Sequence, residues 1–398
     1  MNITLDFASL ALQQAFKQTR CLKFIHKENK TMVDKRVEKL AKLFVNYSVG
    51  VRPKENVIIQ GTAQAFPLIN ELYRECLLAD AYPQIFAQVD SQYTFYETAK
   101  DHQLTHVSPF NKFMVENTDV MIGIFCDTNP KKLTNVNPEK IRKHKAAESE
   151  LMEILFKREA EGKFRWGGLP YPIVAQAQEA EMALEEYEDF VYSSCLLDKK
   201  DPVAEWKKVR KEQDKLCDLL NKTDKIRIVG EDTDISYSVK GRKWINCSGE
   251  KNMPDGEVFT SPIESSVNGT IRFTYPGIFQ GREIEDICLT FKAGKVIKAS
   301  AAKGEKLLKE LLKIKGADHL GEAAIGTNYG ITRFTKDMLF DEKMGGTIHM
   351  ALGLNPAPET GGTNKSAVHW DILKDMKKHS EIYANEELVY KNGKFLKT

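Results

Sequence analysis

No run of about 18 apolar residues occurs anywhere in the 398-residue chain, which leaves no candidate for a helical membrane span. Net charge is nearly absent as well. The 58 basic residues are set against 56 acidic ones, for a formal charge of +2, and without a concentrated basic excess there is no electrostatic case for a nucleic-acid partner. The chain has no CxxC. Its seven cysteines, at positions 21, 76, 126, 195, 217, 247 and 288, are widely spaced and odd in number. That pattern argues against a disulfide framework and for small buried thiols in a reducing, cytoplasmic compartment. Also missing are H-E-x-x-H, G-x-S-x-G and any internal repeat. The Gly361-Gly362-Thr363-Asn364-Lys365-Ser366 run has the residue types of a phosphate loop without its spacing, and it reads as a turn. Histidine is scarce, at eight residues.

What is present is 42% hydrophobic, enough for two cores. Residues 1–31 read as a weakly attached extension. Asp6 interrupts the mildly apolar Leu5 to Phe16 stretch, no basic segment precedes it, and no small-residue cleavage site follows. From Val33 a helical stripe runs through Val37, Leu40, Ala41, Phe44, Val45 and Val49. Apolar strands are then expected at 57–61, 85–89 and 120–125, alternating with helices, the pattern of a largely parallel sheet in an open α/β domain over 32–225. One charged helix is expected over 139–158 and another over 201–220, the latter opened by Asp201-Pro202. Trp166-Gly167-Gly168-Leu169-Pro170 reads as a break. Beyond residue 225 period-two alternation takes over, at 234–239, 269–273, 284–291 and 295–299. Residues 226–398 are therefore expected to form a second, sheet-rich domain with inserted helices.

That second part carries the chemistry. Glutamate, histidine and aspartate sit among apolar or small neighbours in Pro254-Asp255-Gly256-Glu257-Val258-Phe259, Gly321-Glu322-Ala323-Ala324, Thr347-Ile348-His349-Met350 and Val368-His369-Trp370-Asp371. Isolated buried charges are costly, and converging ones require a compensating cation. Glu257 follows a turn and enters a strand. Glu322, followed by small residues, reads as lying on a helix or turn. In His369-Trp370-Asp371 the outer two side chains share one side of a strand while Trp370 points the other way into core. Glu257, Glu322, His349, His369 and Asp371 are five O/N ligands without a thiolate, a set that suits Zn²⁺, Co²⁺ or Mn²⁺ better than Mg²⁺.

The run Asn252-Met253-Pro254-Asp255-Gly256-Glu257-Val258-Phe259-Thr260-Ser261-Pro262 resembles a metal-binding segment of the M29 metallopeptidases, the aminopeptidase T family. So do Gly321-Glu322-Ala323, Phe340-Asp341-Glu342-Lys343-Met344-Gly345-Gly346-Thr347-Ile348-His349, Ala351-Leu352-Gly353 and Ser366-Ala367-Val368-His369-Trp370-Asp371. The resemblance covers residues 33 to 390. It implies a two-domain homodimer with two divalent ions per protomer and release of N-terminal amino acids from short peptides with a free amino end. Residue by residue, it implies metal binding at Glu257, Glu322, His349, His369 and Asp371, with Glu342 beside them as a supporting or additional ligand. The catalytic role expected is activation of the attacking water by Glu322 or Glu342. One departure stands out. The family's tyrosine after Ala-Leu-Gly is absent from Leu354-Asn355-Pro356-Ala357-Pro358-Glu359-Thr360-Gly361-Gly362, leaving Tyr329 and the Asn355 amide as candidate substitutes. That change keeps two alternatives open, a dinuclear hydrolase of small non-peptide amides or esters and an inactive metal-binding homologue.

Overall fold

The computed structural model describes residues 34–396; the 1–31 extension lies outside the described residues. The first helix, Lys35–Leu43, opens on Asp34, whose carboxylate accepts the Arg36 N–H at 2.8 Å. The helix buries Val37, Leu40, Ala41 and Leu43 and runs on into a π-helical turn over Phe44–Ser48. Four parallel strands follow, in the spatial order Tyr82–Gln88, Asn56–Thr62, Val120–Phe125, Arg165–Pro170. The helix–strand alternation of the sequence thus produces the expected parallel sheet.

Two expectations are corrected here. Residues 139–158 form two helices, Pro138–Ala147 and Ser149–Ala160, which meet at Glu148. The Trp166–Pro170 stretch is a sheet strand, not a break. Its glycines are there because the chain crosses closely. Gly168 donates its N–H to the Lys251 carbonyl at 2.7 Å and accepts from Met253 N–H at 3.0 Å. A Cβ on Gly168 would lie 2.4 Å from the Phe125 ring. The segment 251–253 therefore runs along the edge strand of the parallel sheet on its way into Glu257.

From residue 225 onward the sheets are antiparallel. Eight strands lie in the order Lys295–Ser300, Cys288–Lys292, Asn268–Arg272, Thr233–Ser238, Lys225–Gly230, Glu381–Ala384, Glu387–Lys391, Lys394–Phe395. Five more form the order His369–Asp375, Thr347–Gly353, Leu320–Gly326, Glu257–Thr260, Ile245–Cys247. Helix Glu305–Leu311 is inserted between strands. One apolar cluster surrounds the parallel sheet and recruits Met253, Ile331, Phe340 and Met344 from the later chain. A second fills the space behind the antiparallel sheets. The long helix Pro202–Leu220 ties these parts together. Asp201 caps it by accepting Ala204 N–H at 3.0 Å. Its buried Gln213 donates to the backbone carbonyls of Glu257, at 2.7 Å, and Cys247, at 2.9 Å, fixing the start of the Glu257 strand. Among the described residues no helix is long and apolar enough to cross a membrane.

Candidate metal centre

The five-stranded sheet gathers its ionisable residues by register. Glu257 pairs with Gly326, His349 with Ala324, Glu322 and Asp371 both with Ala351, and His369 with Gly353. Directly opposed residues share a face, and so do residues two apart along a strand. Glu257, Glu322, His349, His369 and Asp371 therefore all project from one face. Their cross-strand neighbours on it are Gly326, Ala324, Ala351 and Gly353, with Cys247 opposite Glu257 and Leu373 opposite His349 at the far sides. The glycines and alanines leave room for the long side chains. The opposite face carries Ala323, Ile325, Ile348, Met350, Leu352, Trp370 and Ile372, all buried in the second core cluster. Trp370 points into that core, as the alternation requires. Glu322 lies inside strand Leu320–Gly326, which corrects its assignment to a helix or turn. Gly256, just before Glu257, has φ +122°, and a Cβ there would sit 2.8 Å from the Asn328 Cβ; only glycine makes this turn without strain.

The charged ends converge. His349 Nε2 lies 3.1 Å from Glu322 Oε1, 3.5 Å from Glu257 Oε2 and 3.9 Å from Asp371 Oδ1, and His369 Nε2 lies 3.3 Å from Asp371 Oδ2. Both imidazoles are held from behind. Backbone carbonyls lie against their Nδ1 atoms, Glu342 O at 3.0 Å from His349 and Leu354 O at 2.8 Å from His369, so the Nε2 atoms face the cluster. Carbonyl contacts of this kind orient metal-ligating histidines. His349 is 1% exposed, whereas the His369 side chain, at 28%, opens on the solvent side.

The electrostatics suit a cation. Burial alone pulls both imidazoles down, but the Glu322, Glu257 and Asp371 carboxylates outweigh it at His349, and Asp371 with Glu322 does so at His369. Each is raised to about 10. Burial lifts Glu257 to about 8 against the pull of Lys343 and His349. Asp371 is opposed by the same burial, yet the facing His369 and His349 hold it down at about 2. Two carboxylate oxygens, Glu257 Oε2 and Asp371 Oδ1, are buried with no hydrogen-bond donor. Unsatisfied buried acceptors are uncommon and costly, and divalent ions would satisfy both. The donor atoms of Glu257, Glu322 and His349, and those of Glu342, His349 and Asp371, lie within 4.8 Å of one another. Each group brings carboxylate and imidazole donors together at the spacing a divalent ion requires.

Glu342 stands beside the sheet, at the end of helix Met338–Asp341. Its carboxylate pairs with Lys343, and its backbone carbonyl supports His349. Lys343 escaped the reading of the sequence. Its ammonium is 1% exposed and lies 3.5 Å from Glu257 Oε1. No sequence signal marked it, because after Asp341-Glu342 it has the pattern of a surface lysine. Asp255 is also buried, but it accepts the Gly249 and Gly256 N–H groups at 2.7 and 3.0 Å and so shapes the turn. The two substitutes considered for the missing tyrosine are both committed elsewhere. Tyr329 donates its hydroxyl to the Gly393 carbonyl at 2.8 Å, and Asn355 donates to the Gly362 carbonyl at 2.9 Å while accepting Ala357 N–H at 3.0 Å. Cys126, buried, has the Thr62 hydroxyl at 3.1 Å from its sulfur.

Above the cluster lies a cleft of about 550 Å³, walled by Trp166, Ile245, Phe259, Pro356 and Ala357, with Glu257, Glu322, Glu342 and His369 on its floor. Residues 33–395 match the family model described as thermophilic metalloprotease (M29), and the chain belongs to that family. Aminopeptidase 2 of Geobacillus stearothermophilus is 25% identical over 382 residues, spanning 85% of this chain and 92% of the relative. Aminopeptidase PepS of Streptococcus thermophilus is 26% identical over 381 residues, spanning 85% and 91%. Among solved structures, wild-type AmpT from Thermus thermophilus superposes with a TM-score of 0.78 at 21% identity, covering 91% of this chain and 99% of AmpT. A 2,5-dihydroxypyridine dioxygenase from Pseudomonas putida KT2440 has the same general fold at a TM-score of 0.53 and 13% identity, covering 90% and 96%. Fold alone therefore does not set the chemistry here; the side chains of the site do.

Proposed function

We propose that the protein is a divalent-metal-dependent aminopeptidase that removes N-terminal residues from short peptides with a free amino end. The observation that carries this reading is the one-faced cluster of Glu257, Glu322, His349, His369 and Asp371 with its two orphaned carboxylate oxygens. The family match and the aminopeptidase names of relatives matched over nine-tenths of their length support the reaction class. These five residues would hold two ions, Zn²⁺, Co²⁺ or Mn²⁺, with Glu322 central among them. When bound, such ions supply Lewis acidity to a peptide carbonyl and to water.

The chain's own groups do the rest. The apolar cleft walls exclude water and align the first residue. Glu342 lines the cleft from outside the sheet and is the group to accept a proton from the attacking water and pass it to the leaving amine. Lys343 anchors the Glu342 and Glu257 carboxylates in place. Loss of the tyrosine after Gly353 leaves oxyanion stabilisation without a phenol, which slows turnover. The catalytic residues all fall in the part of the chain from 226 onward. A cytoplasmic homodimer completes the reading, on the family resemblance and on six free cysteines among the described residues.

The test is direct. Chelated protein given back Zn²⁺, Co²⁺ or Mn²⁺ is expected to release leucine and alanine from their amides, and N-acetylated peptides are expected to resist. Cleavage of blocked and free peptides at equal rates would rule out an aminopeptidase, and turnover of simple esters alone would favour the small-amide or esterase alternative. Glu342→Gln is expected to keep its metal and lose roughly 10²–10⁴-fold in kcat, the usual contribution of a positioned proton acceptor.

A further inference from the structure

A second cavity, of about 460 Å³, adjoins the metal cleft, and Glu342 forms part of the wall of both. A second point of contact lies nearby. The Phe125 ring, on the wall of this cavity, packs against Gly168, whose other close neighbour is Asn252 on the wall of the metal cleft. The second cavity is built from both halves of the chain, with Phe125 and Pro130 facing Met338 and Leu339 as apolar walls.

Its polar groups fall into two sets. Those around the cavity from flanking segments are already matched: Asp127 with Lys132 at 2.9 Å, Glu179 with Lys131 at 2.6 Å, Lys336 with Glu283 at 3.1 Å. The others are not. The Asp337 carboxylate caps helix Met338–Asp341 by accepting Leu339 N–H at 3.0 Å, and it has no ion-pair partner among the described residues. The Tyr187 hydroxyl belongs to a side chain only 1% exposed that lines this cavity, and it has no hydrogen-bond partner. Tyr187 and Asp337 share the wall of this cavity, and burial, with smaller contributions from the Asp337 and Asp341 carboxyls, raises the Tyr187 phenol. Asp341, fully buried, leaves its Oδ2 unpartnered as well.

Apolar walls leading to unpaired acceptors have a definite complement. A lysine or arginine side chain lays its methylenes along hydrophobic surface and delivers a cation with several N–H donors at its tip. A neutral aliphatic side chain would fill the walls and leave the acceptors unsatisfied, a penalty that sites of this kind use for discrimination. We infer that this cavity is a subsite for a basic side chain, its methylenes against Phe125, Met338 and Leu339 and its cation on Asp337 and the Tyr187 hydroxyl, so that peptides beginning with lysine or arginine are favoured substrates. The assignment to the first residue rests on the aminopeptidase reading; the affinity for a basic side chain does not.

The experiment compares lysyl and norleucyl p-nitroanilides, which match in length and differ in charge, on the full chain loaded with Zn²⁺. The lysyl compound is expected to have the higher kcat/KM. The lysyl-to-norleucyl ratio is expected to fall about ten-fold in Asp337→Asn, as for loss of one charged hydrogen bond. Asparagine also caps helices, so the turn is retained. Tyr187→Phe, which keeps the ring packing on Phe190 and Phe340, is expected to lower the ratio about three-fold. A wild-type ratio of one, or unchanged ratios in both variants, would overturn the subsite. Should the wild type cleave neither compound, the aminopeptidase reading fails, and calorimetry then decides the subsite separately. Tighter binding of lysinamide than norleucinamide, abolished by Asp337→Asn, supports it; equal binding overturns it.

Discussion

The two faces of the five-stranded sheet are built from the same strands and have opposite chemistry. On one, Ile348, Met350, Leu352, Trp370 and Ile372 interdigitate with the second core. On the other, His349, His369, Asp371, Glu322 and Glu257 stand beside Ala324, Gly326, Ala351 and Gly353. Alternation with period two is enough to separate them, and a slip of one residue would exchange the faces. The comparison teaches that the apolar face keeps register while the ionisable face gathers buried carboxylates and imidazoles that the core must hold together. Burial without a cation is unfavourable for that cluster, as the raised Glu257 carboxyl indicates. The stability of the two faces should therefore respond to different variables.

The largest effect is expected on the apolar face. Trp370→Ala removes a side chain 3% exposed, together with the hydrogen bond its Nε1–H donates to Ile278 O at 3.1 Å. It is expected to cost about 3–5 kcal/mol, as for other buried aromatic truncations, in chemical unfolding with or without added metal. On the ionisable face, Asp371→Asn keeps the shape and removes a charge. Metal affinity is expected to fall at least the roughly 10–100-fold seen when mere supporting partners of ligands are lost; the metal-free melting temperature moves much less than for Trp370→Ala. Equal destabilisation by the two substitutions in the metal-free protein would break the contrast between faces.

A subtler expectation concerns pH. His349 and His369 are raised from an ordinary 6.5 to about 10 by the carboxylates they face. In the metal-free chain their stabilising contribution is fully present below about 6.5 and is lost as pH climbs through about 10. Glu257, raised from 4.5 to about 8, acts in the same direction between those values, because the folded state holds its proton longer. A cation must displace these protons, so it binds more tightly as pH rises. The difference in melting temperature between Zn²⁺-loaded and chelated protein should widen from pH 6.5 to 9. A constant or narrowing difference would mean that these groups are not the ones a cation meets.

Much of this was readable from residues alone, and what was not has physical causes. The His369-Trp370-Asp371 alternation needed only the pleat of a strand. The parallel sheet followed from continuous runs such as Val120 to Phe125. Glu322 was misassigned because Ala323, Ala324 and Gly326 have little strand propensity of their own. On the ionisable face Ala324 and Gly326 serve as spacers, and only pairing between Thr347–Gly353 and Glu257–Thr260 makes that segment a strand. Gly167 and Gly168 signalled a break until the crossing of 251–253 gave them a reason. Lys343 was invisible because Glu257 meets it only in three dimensions, while its chain neighbour Glu342 makes it resemble an ordinary surface ion pair. Asn355 and Tyr329 were plausible by position, and the loop's own hydrogen bonds consume them.

The central claim is that the five ionisable residues on one sheet face hold two divalent ions that make the site catalytic. The most direct test is elemental analysis of the chelated protein re-equilibrated with Zn²⁺, Co²⁺ or Mn²⁺, paired with leucinamide hydrolysis on the same sample. The account predicts two ions per chain and activity that appears with them. No metal retained above trace, or hydrolysis undiminished after complete chelation, would contradict it.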